Sequence, residues 1–231
     1  MRETKTYKKR PINNQIDLSN RVSYQRLRTI YQYLEMYCNR HSRVMIFHFQ
    51  LKAPSSGYIS EQLQHELTIK FLRAFSLTWK DEKRLTNTLR KMGTHKQSYC
   101  NHNYDIQYIW RREQNEDDGT HYHIYIFANG NILRHFESIK AVGLYYWHKI
   151  LRVNSINIDH LSHNQRQALF YIHCEKGNYL YYNGFNAIFL DRNAEDYEKQ
   201  KQNAFQMLSY CVKDTQKTND SIKRNFGTSR F

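Results

Sequence analysis

Residues 119–130, GTHYHIYIFANG, place His121 and His123 at alternate positions of a segment that is otherwise mainly apolar and aromatic. Side chains alternate between the two faces of a β-strand, so both imidazoles share one face with Tyr125 and Phe127. Two neighbouring imidazoles are either a polar patch on a strand or two ligands of one metal ion. A His-x-His pair alone leaves both interpretations open.

A carboxylate belongs to the same polar surface. Residues 104–113 (YDIQYIWRRE) alternate as a strand, and the acidic segment 114–120 (QNEDDGT) is typical of a hairpin turn. If the apolar faces of the two strands share one core, Glu113 and His121 meet near the turn. Two imidazoles and a carboxylate with open positions suit a catalytic divalent cation. Mg²⁺ or Mn²⁺ is the expected metal, and zinc is not excluded.

A further strand could contribute to this cleft. Residues 43–54 (RVMIFHFQLKAP) alternate between an apolar face and a more polar face that carries His48 and Gln50. Either side chain could add a metal ligand or only line the cleft.

A candidate nucleophile lies in the last long helical pattern, residues 193–215. At about 100° per residue, Tyr210 and Lys213 share a polar stripe opposite the apolar side of that helix. A phenol with a pKa of about 10 is a weak nucleophile at neutral pH, but a nearby ammonium group or cation favours the phenolate. Lys213 could also stabilise charge on a phosphoryl group. Since the chain has 19 tyrosines, the pair could equally be a chance feature of a solvated face.

The composition indicates a polyanionic partner. Among 231 residues, 35 Lys and Arg outnumber 21 Asp and Glu, for a formal charge of +14. Such an excess favours nucleic acid, with a basic surface that binds nothing as the alternative. The sequence shows no apolar leader and no run of about 18 apolar residues, so we expect neither secretion nor a membrane span. Reduced thiols are expected at the widely separated cysteines Cys38, Cys100, Cys174 and Cys211.

Hydrophobic periodicity predicts a single α+β domain with an antiparallel sheet. Residues 1–20 are expected to form a basic flexible arm, and 21–231 the domain, with a basic tail at 216–231. Helices are predicted at 19–42, 60–75, 135–151 and 193–215, the second with Ser60 as its N-cap. Cations suited to phosphate contacts lie on or near the second helical region: Arg73, Lys80, Lys83, Arg84, Arg90 and Lys91.

Taken together, a His-x-His strand with an upstream Glu, and a helical Tyr-x-x-Lys about ninety residues further on, resemble the HUH endonuclease superfamily. These are the nicking and joining enzymes of rolling-circle replication and conjugation. Residues 111–130 and the run LSYCVKDTQ…RNFGTSR (208–230) look like the filamentous-phage (inovirus) gene-two-type replication initiators and their prophage relatives. The implied fold is a central antiparallel sheet of the HUH, RRM-like kind, with helices packed on its faces.

The resemblance also implies roles for the matching residues. Tyr210 would attack a phosphate of single-stranded DNA and leave a 5′-phosphotyrosine and a free 3′-OH, with Lys213 assisting. A divalent cation would be held by His121, His123 and Glu113. Further contacts to DNA are expected from Arg111, Arg112, Arg224 and Arg230. The implied partners are single-stranded or supercoiled origin DNA and the host replication helicase and polymerase, in the cytoplasm of a bacterial host.

Two features differ from the expected family pattern. Gln50 stands where relatives are expected to have an acidic residue, and there is one Tyr-x-x-Lys rather than two paired tyrosines. A single-tyrosine enzyme needs a second nucleophile or a second protomer to finish a replication round, and the oligomeric state is left open. The alternative function is a catalytically inactive DNA-binding or autoregulatory protein of a prophage or mobile element. A transposase or relaxase is a third possibility, although the small size disfavours a relaxase.

Overall fold

A computed structural model describes most of the chain between residues 23 and 229. The described ranges are 23–54, 59–94, 104–115, 119–133, 136–171, 187–212 and 225–229. The expected arm at 1–20 lies outside them, as does most of the tail at 216–231.

The described residues form helices and strands of similar number. The helices are α1 (Tyr24–Arg40), α2 (Glu61–Lys80), α3 (Glu82–Lys91), α4 (Phe136–Val153), α5 (His163–Ala168) and α6 (Tyr197–Ser209). The strands are β1 (Arg43–Lys52), β2 (Gln107–Asn115), β3 (Gly119–Asn129), β4 (Phe170–Tyr171), β5 (Ala187–Asp191) and β6 (Phe226–Thr228). A 3₁₀ turn, Tyr210–Val212, follows α6 directly.

The strands form one antiparallel sheet in the spatial order β4-β1-β3-β2-β6, with β5 also pairing with β1. β1 and β3 pair along nearly their whole length, from Val44 opposite Asn129 to Lys52 opposite His121. The other edge of β1 is shared, because β5 pairs with its first half and β4 with Gln50 and Leu51. The predicted α+β fold, with a central antiparallel sheet and helices packed on its faces, is confirmed.

Strand alternation divides the interior into two hydrophobic cores, one on each face of the sheet. The core under α2, α3 and α4 contains Phe47, Phe49, Tyr122, Ile124 and Ile126. The opposite core, under α1 and α6, contains Val44, Ile46, Tyr125, Phe127 and Ile188. Towards one end of this second face, the apolar side chains give way to His48, Gln50, His121 and His123, all buried. The candidate site therefore lies at the polar end of the α1/α6 face.

Helix boundaries follow local capping. Ser60 caps α2 as predicted, since its hydroxyl accepts a hydrogen bond from the Leu63 amide at 3.2 Å. The helix continues to Lys80, beyond the predicted end at residue 75, and Asp81 then caps α3 by accepting from the Arg84 amide at 3.0 Å. At the other end of the chain, the predicted helix 193–215 is shorter, because α6 stops at Ser209 and tightens into the 3₁₀ turn.

Gly143 allows α4 to approach the sheet closely. It faces the ring of Phe170 on β4, and a Cβ atom at this position would overlap that ring. A larger side chain there would push α4 away from the edge of the sheet.

The C-terminal run RNFGTSR, which the sequence left without a structural role, supplies the edge strand β6. Trp110 of β2 pairs with Gly227, and the Arg112 amide donates to the Asn225 carbonyl at 3.0 Å. At the other end of β6, the Ser229 hydroxyl accepts from the Tyr108 amide at 3.0 Å and donates to Oε1 of Gln107 at 2.6 Å. It also hydrogen-bonds the hydroxyl of the buried Tyr33 in α1. Residues 225–229 thus join the sheet to α1.

Two of the four cysteines lie in the described part of the chain. Cys38 and Cys211 are free and buried, while Cys100 and Cys174 lie outside the described residues. Burial raises the pKa of Cys38 to about 11.

No helix among the described residues has both the length and the hydropathy needed to cross a bilayer.

Candidate active site

The β2–β3 hairpin brings the three expected metal ligands together. Glu113 lies directly opposite His121, and Arg111 lies directly opposite His123. Gly119 begins β3 at φ +65°, a backbone conformation that glycine adopts without a steric penalty. The polar faces of the two strands coincide, as the alternation predicted.

The donor atoms of the three side chains form a compact group. Oε2 of Glu113 is 3.0 Å from Nε2 of His123 and 3.6 Å from Nε2 of His121. One ligand atom from each residue lies within 4.8 Å of the other two, and all three residues are buried. Two imidazole nitrogens and one carboxylate oxygen at this spacing fit a single divalent cation, although they do not determine which metal it is.

The electrostatic environment favours the ionised form of the Glu113 carboxylate. Burial alone would raise the pKa of Glu113, but hydrogen bonds from His121 and His123 act in the opposite direction. Together with the electrostatic effect of the nearby His123 and Arg111, they hold the pKa of Glu113 well below its usual range. The side chain is therefore ionised at neutral pH, as a metal ligand must be.

The sequence left open whether His48 and Gln50 of β1 add a metal ligand or only line the cleft. His48 places Nε2 at 3.0 Å from Nδ1 of His123 and stacks on Tyr125 with ring centroids 4.3 Å apart. It contacts the ring nitrogen of His123 that does not face Glu113, which is where an orienting partner of a ligand histidine belongs. Gln50 places its amide nitrogen 3.4 Å from Nε2 and 3.5 Å from Nδ1 of His123. His48 is therefore placed to orient His123, whereas a metal contact from Gln50 would have to come from its amide oxygen.

Tyr210 lies over this group at the end of α6. Its ring centroid is 5.7 Å from that of His123, and 37% of the residue is exposed. It is the first residue of the 3₁₀ turn rather than part of the α-helix, so the helical-stripe argument placed it correctly outside the core but assigned the wrong local geometry. The neighbouring Cys211 is fully buried, and burial raises the pKa of its thiol, which makes it a poor alternative nucleophile.

Two of the four arginines expected to contact DNA, Arg111 and Arg112, lie within the described residues. Arg111 and Arg112 are both buried, which leaves little surface for a nucleic-acid contact. Arg112 points away from the metal ligands and pairs with Glu61 of α2 at 3.3 Å. The remaining expected functional residues, Lys213, Arg224 and Arg230, lie outside the described residues.

Exposed cations cluster on the opposite side of the sheet, on α3. Its buried positions, Leu85, Thr88 and Leu89, face α4 and the first core. The opposite face of α3 and the end of α2 carry the exposed cations Lys80, Lys83, Arg84, Arg90 and Lys91. None of these five forms a side-chain ion pair with a carboxylate within the described ranges. Their charge is thus available to an external anion.

Comparison with protein families identifies the chain. The model of the YagK/YfjJ C-terminal domain matches residues 2–229. The chain belongs to the YagK/YfjJ C-terminal domain family. The family model extends over the metal ligands, Tyr210 and the β6 segment of this YagK/YfjJ domain. The resemblance to inovirus initiators remains a prediction.

Comparison with individual proteins adds little to this assignment. No curated protein matches the YagK/YfjJ domain described here. Among solved structures, the N-terminal nuclease domain of the minute virus of mice non-structural protein 1 aligns with 81% of this chain and 100% of that chain. The alignment has 12% identity and a TM-score of 0.31, and a likeness this remote supports no conclusion about activity.

Proposed function

We propose that the protein is a DNA endonuclease and strand transferase that nicks and rejoins single-stranded DNA through a 5′-phosphotyrosine. The observation that supports this function best is the position of Tyr210. A partly exposed phenol lies at the edge of a buried group of two histidines and a glutamate, with its ring 5.7 Å from the ring of His123. A nucleophile next to a cation-binding group is the arrangement that phosphoryl transfer requires.

The proposed reaction conserves the number of phosphoester bonds. Oη of Tyr210 attacks the phosphorus, a Tyr–O–P bond forms, and the P–O3′ bond breaks. The phenolic proton goes to solvent, and the departing 3′ oxygen takes up a proton to become a free 3′-OH. Rejoining is the reverse, because a 3′-OH attacks the phosphotyrosine and releases the phenol. Neither direction needs an external energy source, since one phosphoester replaces another.

Each side chain has a proposed part in this reaction. Glu113, His121 and His123 would hold the divalent cation, with Gln50 adjacent and His48 orienting the ring of His123. When bound, Mg²⁺ or Mn²⁺ would polarise the scissile phosphate and stabilise the charge that develops on it. Lys213, three residues after Tyr210, would assist at the same phosphate.

The biological role follows from the products of this chemistry. The free 3′-OH would prime the host polymerase on origin DNA opened by the host helicase, in a bacterial cytoplasm, as in rolling-circle replication of a phage, prophage or related element. Residues 21–231 would act as one nuclease domain. The sequence motifs and the placement of Glu113, His121, His123 and Tyr210 around one site support this role.

A covalent-adduct assay tests the proposal. The protein is incubated with single-stranded and supercoiled DNA libraries in Mn²⁺, in Mg²⁺ or in chelator, and adducts are separated on a denaturing gel. We expect a metal-dependent adduct that maps to Tyr210 and disappears in Tyr210→Phe, while DNA binding is retained. Tyr145→Phe is the matched control, because Tyr145 lies on α4, on the other side of the sheet, and its loss should leave the adduct unchanged.

Two results would count against this function. An adduct that persists in Tyr210→Phe would reassign the nucleophile. Tight DNA binding that is independent of metal and gives no adduct on any substrate would favour the catalytically inactive DNA-binding protein.

A further inference from the structure

Arg111 occupies an interior position between the metal ligands and the nucleophile segment. On β2 it pairs with His123 of β3 on one side and with Phe226 of β6 on the other. The residue is only 6% exposed. A guanidinium enclosed in this way is held by the protein and has little freedom to reach a ligand in solvent.

Its two polar contacts lead to two different parts of the site. Nη1 donates a hydrogen bond to the carbonyl oxygen of Tyr210 at 2.8 Å. Nε lies 3.3 Å from Oε1 of Glu113. One planar group therefore joins the backbone of the proposed nucleophile to a proposed metal ligand.

The two oxygens of Glu113 have separate partners. Oε2 faces the histidine nitrogens, and Oε1 faces Arg111. The carboxylate can thus give one oxygen to a cation while the other stays bound to the guanidinium. The contact with Arg111 is compatible with an occupied metal site.

The end of α6 provides a physical reason for an arginine here. The last carbonyls of a helix have no partner within the helix, and they carry the negative end of its dipole. Tyr210 follows directly after the last residue of α6, and its carbonyl accepts from a buried cation. Because the accepting carbonyl belongs to Tyr210 itself, the contact fixes the backbone of the proposed nucleophile without using its hydroxyl.

We propose that Arg111 is a positioning residue that fixes the Tyr210 turn at the metal centre through its joint contact with Glu113. The functional part of this inference rests on the proposed nucleophilic role of Tyr210. The role differs from the DNA contact that the sequence suggested for Arg111, because it acts through Tyr210 and Glu113 rather than on the substrate.

Arg111→Lys is the most direct perturbation. Lysine keeps the positive charge, but its single ammonium lacks the rigid fork that donates in two directions. Arg43→Lys is the matched control, since Arg43 also donates from Nε to a carboxylate, at 2.8 Å to Asp191, but at the opposite end of β1 from the site. A second variant, Arg111→Met, removes both donors without burying an ammonium group and serves if Arg111→Lys does not fold; the turn should lose protection in it as well.

The first readout needs neither metal nor DNA. Hydrogen–deuterium exchange of residues 210–212 is measured in the metal-free protein. The exchange rate should rise by about tenfold or more in Arg111→Lys, as expected for the loss of one charge-assisted hydrogen bond, and stay unchanged in Arg43→Lys. Unchanged protection of the turn in both Arg111 variants would overturn the positioning role.

The second readout separates positioning from DNA contact. With saturating Mn²⁺ and single-stranded DNA, the rate of adduct formation should fall by about tenfold or more in Arg111→Lys, with little change in DNA affinity. Lower affinity with a normal rate at saturation would show a DNA contact and overturn the inference. If the wild-type protein forms no adduct, the proposed function fails, while hydrogen exchange still reports whether Arg111 holds the turn.

Discussion

The hydroxyl of Ser229 provides a direct test of whether residues 225–229 complete the sheet. It accepts from the Tyr108 amide, donates to the Gln107 side chain and bonds to the Tyr33 hydroxyl. Ser229→Ala removes all of these contacts while leaving the backbone bond from the Ser229 amide to the Tyr108 carbonyl. The substitution therefore reports on the side-chain link between β6, β2 and α1.

The expected loss of stability in Ser229→Ala follows from the hydrogen bonds that the substitution removes. A net contribution of about 1 kcal/mol for each of two to three hydrogen bonds gives a loss of about 2 kcal/mol in the free energy of unfolding. Tyr33 is buried, and its hydroxyl would lose the contact to Ser229 while keeping the longer one, 3.5 Å, to Oε1 of Gln107. Two buried polar groups would thus lose their main partner, which places the loss in the upper half of the range for a hydroxyl deletion.

Urea unfolding followed by circular dichroism measures this loss. The midpoint should fall by about 1 M with an unchanged m-value. Thr29→Ala is the control, because the Thr29 hydroxyl bonds the Gln25 carbonyl one turn earlier in α1, and its removal should change stability by less than about 0.5 kcal/mol. If the Ser229 and Thr29 variants lost equally little, residues 225–229 would not be docked as the edge strand.

Three further predictions follow from other parts of the molecule. Gly143→Ala should lower the free energy of unfolding by about 1–3 kcal/mol in the same urea assay, despite alanine's better helix propensity, because its methyl group meets the ring of Phe170; an unchanged or raised stability would contradict that close approach. Burial would raise the pKa of Asp105, but hydrogen bonds from His41, Gln107 and Arg40 lower it. The stability that Asp105 adds should be present above about pH 4 and be lost as the pH falls through the lowered folded-state pKa, so the difference between wild type and Asp105→Asn in unfolding scans should shrink from about pH 6 to pH 2; a difference that grew towards acid would refute this sign. Finally, the exposed cations of α3 are tested by reversing the charge of three of them. If they contact phosphates, DNA affinity in a fluorescence-anisotropy titration should fall, and the slope of log K against log salt concentration should be shallower by up to about 3. Equal slopes for the variant and the wild type would exclude such contacts. The charge-reversal variant is Lys83→Glu/Arg84→Glu/Lys91→Glu.

Strand periodicity was sufficient to predict that Glu113, His121 and His123 lie close together. Alternation along 104–113 and 119–130 placed Glu113 and His121 on one face, and a tight hairpin leaves few other registers. The same argument placed His48 and Gln50 on one face of β1, but their separate positions around His123 depend on the pairing of β1 with β3, which local periodicity does not determine. Strand order and side-chain rotamers are properties of the whole fold.

Burial at the site was harder to predict than position. Arg111 and Arg112 appeared in the sequence as adjacent cations beside a polar cleft, a pattern typical of a DNA contact. The structure buries both because α6 covers one face of β2, α2 covers the other, and β6 covers its edge. The run RNFGTSR is short and polar and gave no strand signal, and its strand conformation comes from pairing with β2.

The distribution of the site along the chain has a consequence for the order in which it assembles. Glu113, His121 and His123 lie within one hairpin, so their contacts close a short loop, whereas Tyr210 reaches them only when α6 docks from far along the sequence. Short loops close earlier and at a smaller entropic cost than long ones. A folding intermediate that has its central strands paired but lacks docked α6 would already hold Glu113, His121 and His123 in register, without Tyr210 beside them. If the proposed function is correct, the capacity to bind a cation would precede the capacity to cut, and the chain would bring Tyr210 to the site as one of the last events of folding.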